Sequence, residues 1–290
     1  MVIWILKLLG RIPLRWLHCL GATLGWLVYW ASPAYRRRLR ENLDASGIGL
    51  DEAQRTALRQ EAIAEAGKAV AELLAVWFGP KENLAKLVVE LEGWEIVVAA
   101  RARGNGILFL TPHIGCFEIS SLYVGARMPL TVLYRPPKVS WLEPYMNASR
   151  SRLGTQLAPA NMKGVRMLYR ALSRGDAIGV LPDQVPGEGG EGVWADFFGR
   201  PAYTMTLVRR LQAASGAAVI MTFAQRLPHG RGYRMHVREV PTPAFSEDIL
   251  NREVEETVRR CPAQYLWSYN RYKRPTGAEP PPERGAGARR

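Results

Sequence analysis

The sequence predicts an α/β fold, a mixed central sheet flanked by helices, preceded by an N-terminal hydrophobic membrane-anchoring helix. Three observations predict it. Short apolar or β-branched runs alternate with stretches whose apolar residues recur near a 3.6-residue period. Two of those runs, Ile107–Thr111 and Ala177–Leu181, end at a proline followed by polar residues, as a buried strand ends at its exit loop. Residues 1–35 are the most apolar part of the chain.

That first part contains a charge-free run of 20 residues from Trp16 to Tyr35. About 20 residues suffice to span a bilayer. His18, the small residues near Gly21 and the flanking Lys7, Arg11 and Arg15 weaken the case for a span. A buried first helix, a true span and an in-plane anchor all stay open. No small-residue cleavage motif marks a secretory signal. Arg36, Arg37, Arg38 and Arg40 come next, and beside an anionic leaflet each contributes on the order of 1 kcal/mol. The positive-inside bias would keep the downstream domain on the cytoplasmic side.

From Asp51 to Phe78 the spacing of Leu58, Ala62, Ile63, Ala66, Val70, Leu73, Leu74 and Trp77 predicts one helix, stopped by Gly79-Pro80. Trp94–Ala102 reads as a short helix. Gly104-Asn105-Gly106 turns into the strand Ile107–Thr111, and a helix runs from about Glu118 to Arg127. Leu130–Tyr134 is a strand, and Trp141–Leu153 and Met162–Ser173 are helices. Ala177–Leu181 is a strand, and Thr204–Ala214 a helix. Ala217–Phe223 and Tyr233–Val240 are strands joined through Pro228-His229-Gly230. Glu247–Arg260 is a charged amphipathic helix. Gly187–Gly192, with four glycines, is expected to be a mobile loop, and the Gly, Pro and Ala-rich end to be disordered.

The 39 basic residues outnumber the 26 acidic ones, giving a formal charge of +13. The first 40 residues hold seven Lys/Arg and no acid, whereas residues 41–100 are net acidic. A basic excess points to an anionic partner: nucleic acid, anionic lipid or an acidic carrier protein. Cys19, Cys116 and Cys261 are odd in number and far apart, so they form neither a disulfide framework nor a metal motif. The four histidines form no ligand cluster, and the sequence calls for no metal or cofactor.

His113 sits at a strand exit, where loops commonly carry chemistry. With Glu118 it makes a base and an orienting acid, provided that His113 precedes the helix and turns back over its N-terminus. Many such pairs are structural, and Cys116 is a rival nucleophile. Nine Lys/Arg and a single acid lie between Arg127 and Arg174. Arg135 follows a strand, Arg150 and Arg152 end a helix, and Arg166 and Arg170 share a helix face. The planar guanidinium fork suits phosphate, although a solvated basic face accounts for part of this excess. Asp183-Gln184 lies beyond the second strand–proline exit, where ligands gather in open α/β sheets. Asp183 would order a basic residue or the acceptor, or simply cap its loop. Trp194, Phe197 and Phe198 would line an acyl channel or belong to the core.

Thr111-Pro112-His113 through Glu118 resembles the H-x4-E/D motif of the glycerolipid acyltransferase superfamily. Tyr134-Arg135-Pro136, Asp183-Gln184, Phe197-Phe198-Gly199 and Gln264-Tyr265-Leu266-Trp267 are similar to its lipid A branch, the late lauroyl and myristoyl acyltransferases. Trp267–Lys273 is similar to that family's C-terminal signature. One departure is Cys116-Phe117, where relatives often have Asn-Trp. The resemblance implies a glycerolipid acyltransferase-like sheet and a membrane-anchor helix with basic flank at 1–40. It implies an acyltransferase domain at 41–275 and leaves a tail at 276–290. It implies His113 as general base, Glu118 as its partner, no covalent acyl-enzyme and no cofactor. Arg135, Arg150, Arg152, Asp183 and Gln184 would bind substrate. The implied donor is an acyl carrier protein or acyl-CoA thioester. The implied acceptor is an anionic glycolipid, a lipid A precursor, or otherwise a lysophospholipid or aminolipid. The implied location is the cytoplasmic face of a bacterial inner membrane. The competing class, a basic membrane- or nucleic-acid-binding protein or an inactive scaffold, leaves the strand-end His113, Arg135 and Asp183 unexplained, and no nucleic-acid-reading motif is present.

Overall fold

The computed structural model describes residues 2–49, 51–136, 140–187, 190–242 and 244–282. In chain order come α1 (Val2–Leu9), α2 (Leu14–Ala31), α3 (Pro33–Ala45), α4 (Glu52–Ala71), α5 (Leu73–Phe78), α6 (Lys81–Leu84), β1 (Val88–Glu92), α7 (Trp94–Ala102), β2 (Ile107–Leu110), α8 (Phe117–Gly125), β3 (Leu130–Tyr134), α9 (Glu143–Arg150), β4 (Thr155–Pro159), α10 (Met162–Ser173), β5 (Ala177–Val180), β6 (Gly192–Phe197), β7 (Arg200–Met205), α11 (Leu207–Ser215), β8 (Ala218–Arg226), β9 (Tyr233–Glu239) and α12 (Glu247–Arg260).

Seven strands form one sheet in the order β1-β9-β8-β2-β5-β3-β4. Every neighbouring pair is parallel except β8–β9, so the sheet is mixed as the alternating pattern predicts. Side chains alternate between its faces. On one face Leu108, Leu110, Ile178, Val180, Val219 and Met221 pack under α10, α11 and α12. On the other, Phe109, Leu130, Val132, Ala177 and Ile220 pack under α7 and α8. The two central strands β2 and β5 are buried along their whole length, which is why they read as continuous apolar runs.

The helices predicted at Trp94–Ala102, Met162–Ser173 and Glu247–Arg260 form with those bounds. The expected Asp51–Phe78 helix is two, α4 and α5, divided at Glu72, whose carboxylate is drawn into a buried ion pair with Arg226. The helix expected from Thr204 begins at Leu207, because Thr204 is the partner of Val193 in a β6–β7 hairpin. That hairpin turns through Phe198 and Gly199, both at positive φ, the combination a two-residue type I′ turn demands. Of the Gly187–Gly192 loop, residues 188 and 189 lie outside the described residues, and Gly192 opens β6. Of the tail, 283–290 lies outside them; Ala278 and Glu279 accept hydrogen bonds from Arg274 and Trp194.

The N-terminal run is not one uninterrupted helix. It breaks at Ser32-Pro33, where the Ser32 hydroxyl caps α3. Among the described residues no helix is long and apolar enough to cross a membrane. Instead α2 lies against α4 with backbones touching: a Cβ on Gly67 would fall 1.9 Å from the Gly21 carbonyl oxygen, and one on Gly25 2.3 Å from that of Ile63. The packed face also carries His18, bonded to Glu72 at 3.2 Å. The opposite face leaves Trp16, Leu20, Leu24, Leu27, Val28 and Trp30 exposed, continuous in chain with exposed Trp4, Ile5 and Leu8 of α1.

Candidate active site

β2, β3 and β5 all point their C-terminal ends at one place. β2 delivers Thr111, Pro112 and His113, β3 delivers Arg135, and β5 delivers Asp183 and Gln184. After His113 the chain must reverse onto α8, and Gly115 makes the turn at φ +59°. Any Cβ there would fall 2.0 Å from the Ala224 carbonyl oxygen, the acceptor of the Cys116 N–H. The C-terminal segment closes over this turn. The Gly115 N–H donates to the Gln264 carbonyl and the Leu266 N–H to that of His113, while Gln264's side chain bonds both backbone groups of Arg226. Arg226 in turn donates to the Gly115 carbonyl at 2.7 Å.

The carboxylate of Asp183 takes the His113 ring Nδ1 at 2.8 Å and its backbone N–H at 3.0 Å. Burial alone would raise the Asp183 pKa. The charge of His113 and these hydrogen bonds outweigh it and hold the carboxyl below its usual range. An ionised acceptor at Nδ1 assigns the ring proton to that nitrogen and makes Nε2 the unprotonated, accepting nitrogen. The Gln184 amide nitrogen donates to Nε2 at 3.0 Å. The Phe117 ring lies against the imidazole at 4.8 Å between centroids.

The expected pairing of His113 with Glu118 is corrected here: the carboxylate on His113 is Asp183. Glu118 is 4% exposed and is held by Arg150 through two parallel hydrogen bonds, Nε to Oε2 at 3.0 Å and a second to Oε1. Helix geometry explains the exchange. Glu118 lies on the first turn of α8, pointing at α9, whereas Asp183 lies beside His113 because β5 and β2 are neighbours in register. Burial would lower the Arg150 pKa, but the Glu118 charge more than offsets it and raises it.

Arg135 lines the same cavity, its guanidinium against Gly187, and has no ion-pair partner among the described residues. Arg152 does not join the site. It caps the C-terminal end of α5, donating to the Gly79 carbonyl at 2.8 Å and to that of Val76. Arg166 and Arg170 are exposed on α10. Cys116 is buried, and burial together with the nearby Glu72 charge pushes its pKa well above the usual thiol value, so it supplies no thiolate. Phe197 and Phe198 belong to the core under α12, and Trp194 bonds the Glu279 carbonyl, so none lines the cavity.

The cavity, about 320 Å³, runs from His113, Gln184, Arg135, Glu118 and Arg150 down between α8 and the sheet to Val124, Leu130 and Val132. Gly179 makes room for it. In register it lies between Phe109 and Val132, and a Cβ there would fall 3.0 Å from a Val132 methyl. A glycine inside a buried strand is the sequence signal for such a gap. Two aromatic residues near Asp183 fall within the C-terminal motifs, which the sequence alone does not tie to the site. Tyr265 is held at the bridge with Ile114, and the Tyr269 hydroxyl accepts the Val185 N–H at 3.0 Å.

The sequence is similar to those of known proteins. The family model described as bacterial lipid A biosynthesis acyltransferase matches residues 1–274. The chain is 25% identical over 285 residues to the lipid A biosynthesis lauroyltransferase of Escherichia coli K12, covering 95% of this chain and 91% of that one. It is 26% identical over 285 residues to the palmitoleoyltransferase of the same organism, covering 94% and 90%. To its lipid A biosynthesis myristoyltransferase it is 26% identical over 259 residues, covering 85% and 77%.

Proposed function

The chain belongs to the bacterial lipid A biosynthesis acyltransferase family, and we propose that it moves a fatty acyl chain from an acyl carrier protein or acyl-CoA thioester to a hydroxyl of a lipid A precursor, with His113 as general base. The observation that carries this reading is the double hydrogen bond of Asp183 to His113, at the mouth of an apolar cavity. The Nε2 lone pair takes the proton of the acceptor hydroxyl as its oxygen attacks the thioester carbonyl. The C–S bond then breaks, and the departing thiolate receives the proton from Nε2. Asp183 stabilises the imidazolium between these steps. Gln184 marks where the acceptor hydroxyl docks, because it already bonds Nε2.

The cavity beneath receives the acyl chain. From Tyr134 to Leu130 its β3 wall is about 13 Å long at ~3.3 Å per residue. At the mouth, Arg135 and the N–H groups of Arg150 that Glu118 does not occupy favour an anionic acceptor such as a phosphorylated glycolipid. Glu118 acts by holding Arg150. The exposed apolar faces of α1 and α2, flanked by Lys7, Arg11, Arg15 and the Arg36–Arg40 run, support docking in the plane of an anionic leaflet. The cytoplasmic face of the inner membrane is where such donors and acceptors meet.

The test is mass spectrometry of lipids formed by the purified full chain from an acyl-carrier donor, with a lipid A precursor, a lysophospholipid and an aminolipid offered separately. Acylation of the lipid A precursor, lost in His113→Ala, is expected. Acylation of one of the other lipids instead would move the acceptor, and unchanged transfer by His113→Ala would remove His113 as base.

A further inference from the structure

The inner face of α10 buries Gly164, Leu168, Ala171 and Leu172. Lys163, Arg166 and Arg170 lie three and four residues apart, so they form one stripe on the outer face, two turns or about 10 Å long. All three are exposed, and none has an ion-pair partner among the described residues. The neighbouring Arg174 differs, since it pairs with Asp176 at 2.8 Å. No acid occurs from Pro144 to Gly175 to offset the stripe. Helix stability does not account for it either: Lys163 stands in the first turn, where the helix dipole disfavours a cation.

The stripe starts at the rim of the cavity. Ala160, just beyond β4, lines that cavity and donates its N–H to the Tyr134 carbonyl at 2.9 Å, one residue before Arg135. Asn161 caps α10 by accepting from the Gly164 N–H at 3.1 Å, and a Cβ on Gly164 would fall 1.8 Å from the Pro159 carbonyl oxygen. The start of the helix is therefore pressed against the strand end, and α10 flanks the mouth on the β4 side. α2 is tied to the other side, through His18 and Glu72 to Arg226 at the end of β8. In the sheet order, β2, β5 and β3, whose ends form the mouth, lie between β8 and β4. The two flanks differ in chemistry. The exposed face of α2 is apolar and suits a bilayer, whereas the exposed residues of α10 are Lys163, Arg166, Arg170, Ser173 and Met162.

We propose that the stripe of Lys163, Arg166 and Arg170 is the docking surface for an acidic acyl carrier protein, which brings its thioester to the adjoining rim. This rests on the reading of the protein as an acyltransferase, and it favours the carrier protein over coenzyme A as donor. Unpaired cations at successive turns match an acidic helix laid along them, and such complementarity speeds encounter and fixes register. The acceptor then approaches from the α2 side and the donor from the α10 side, so neither blocks the other.

The test measures transfer from dodecanoyl acyl carrier protein to one lipid A precursor by the full-length enzyme and by the triple variant Lys163→Gln, Arg166→Gln, Arg170→Gln. Its melting temperature is expected to match the parent's, because the three side chains make no ion pair among the described residues. The KM for the carrier donor is expected to rise about tenfold or more with kcat kept. High salt should lower kcat/KM of the parent and have little further effect on the variant. Flotation on anionic vesicles should be unchanged. An unchanged KM in the variant overturns the proposal while leaving acyl transfer intact. So does a raised KM accompanied by loss of flotation, which would make the stripe a lipid contact. A parent enzyme that uses dodecanoyl-CoA and not the carrier donor overturns the proposal alone. Transfer from neither donor overturns the acyl-transfer reading, and the proposal with it.

Discussion

Asp183 grips His113 at two points, ring Nδ1 and backbone N–H, with one carboxylate oxygen on each. Two contacts to one residue fix both where the imidazole stands and which way it faces. They also fix the tautomer, with the proton at Nδ1 and a basic Nε2 toward the cavity. Without the second contact the ring could turn about its side-chain bonds while keeping the first.

Asp183→Asn tests the grip. An amide offers one acceptor and one donor, so it cannot accept from the backbone N–H and from Nδ1 at separate oxygens. The imidazole is then offered the wrong tautomer. The expected loss in kcat is on the order of 10²–10⁴-fold, with little change in melting temperature or in vesicle binding. A rate within about threefold of the parent would show that the carboxylate does not orient the base.

The Glu118–Arg150 pair is expected to act on stability and acceptor binding. Arg150→Met leaves a buried carboxylate alone, which costs about 3–5 kcal/mol. The double variant Glu118→Met with Arg150→Met removes both charges and should recover most of that loss in a urea titration, while the KM for the acceptor stays high. If Arg150→Met unfolds at the same urea concentration as the parent, the pair does not stabilise the fold.

Most of the layer order is legible in the sequence, because the central strands and amphipathic helices announce themselves through local periodicity. Besides the separate β6–β7 hairpin, that reading misses two strands of the seven-stranded sheet, β1 and β4, which are its two edges. Val88–Glu92 alternates with acids and Thr155–Pro159 contains a proline, both usual at an edge and both fatal to an apolar-run signal. The site divides the same way. His113, Arg135 and Asp183-Gln184 can be found from strand exits. Which carboxylate meets His113 depends on β2 and β5 being neighbours, a pairing between residues 70 apart in the chain. Glu118, five residues from His113, is the nearer candidate in sequence and the wrong one in space.

Acid stability should report the second buried charge cluster. Burial would raise the Glu72 pKa, but Arg226 and His18 outweigh it and bring it down to about 2. A lowered carboxylate contributes stability that is full above its unfolded pKa, near 4.5, and lost as pH falls through the folded value. Between about pH 4.5 and pH 2 the unfolding free energy should therefore drop by roughly 3 kcal/mol from this group. Glu72→Gln, less stable at neutral pH, should show a shallower slope over that window. Parallel slopes for the two proteins would place the acid sensitivity elsewhere.

Gly179 should set how long a chain the cavity holds. Gly179→Val puts side-chain atoms against Val132, beneath α8. The expected result is a shift of donor preference toward shorter chains, read by competing dodecanoyl and octanoyl donors, with His113 chemistry retained on the shorter one. A preference that stays with the longer donor would mean that the chain does not enter between α8 and the sheet.

The N-terminal helices should hold the protein to lipid by one face. Gly21, Gly25 and His18 of α2 are committed to α4, so substitutions there test folding. Leu20, Leu24 and Leu27 point the other way and are about half exposed. Burying each in the leaflet should contribute about 1 kcal/mol, and the arginines after Ser32 a comparable amount each at an anionic surface. Changing all three leucines to glutamate should release the protein from anionic vesicles in a flotation assay, with its melting temperature nearly unchanged. Raising salt should weaken the parent's binding only in part, because the apolar face is not screened. Undiminished flotation of the triple variant would show that this face is not what meets the bilayer.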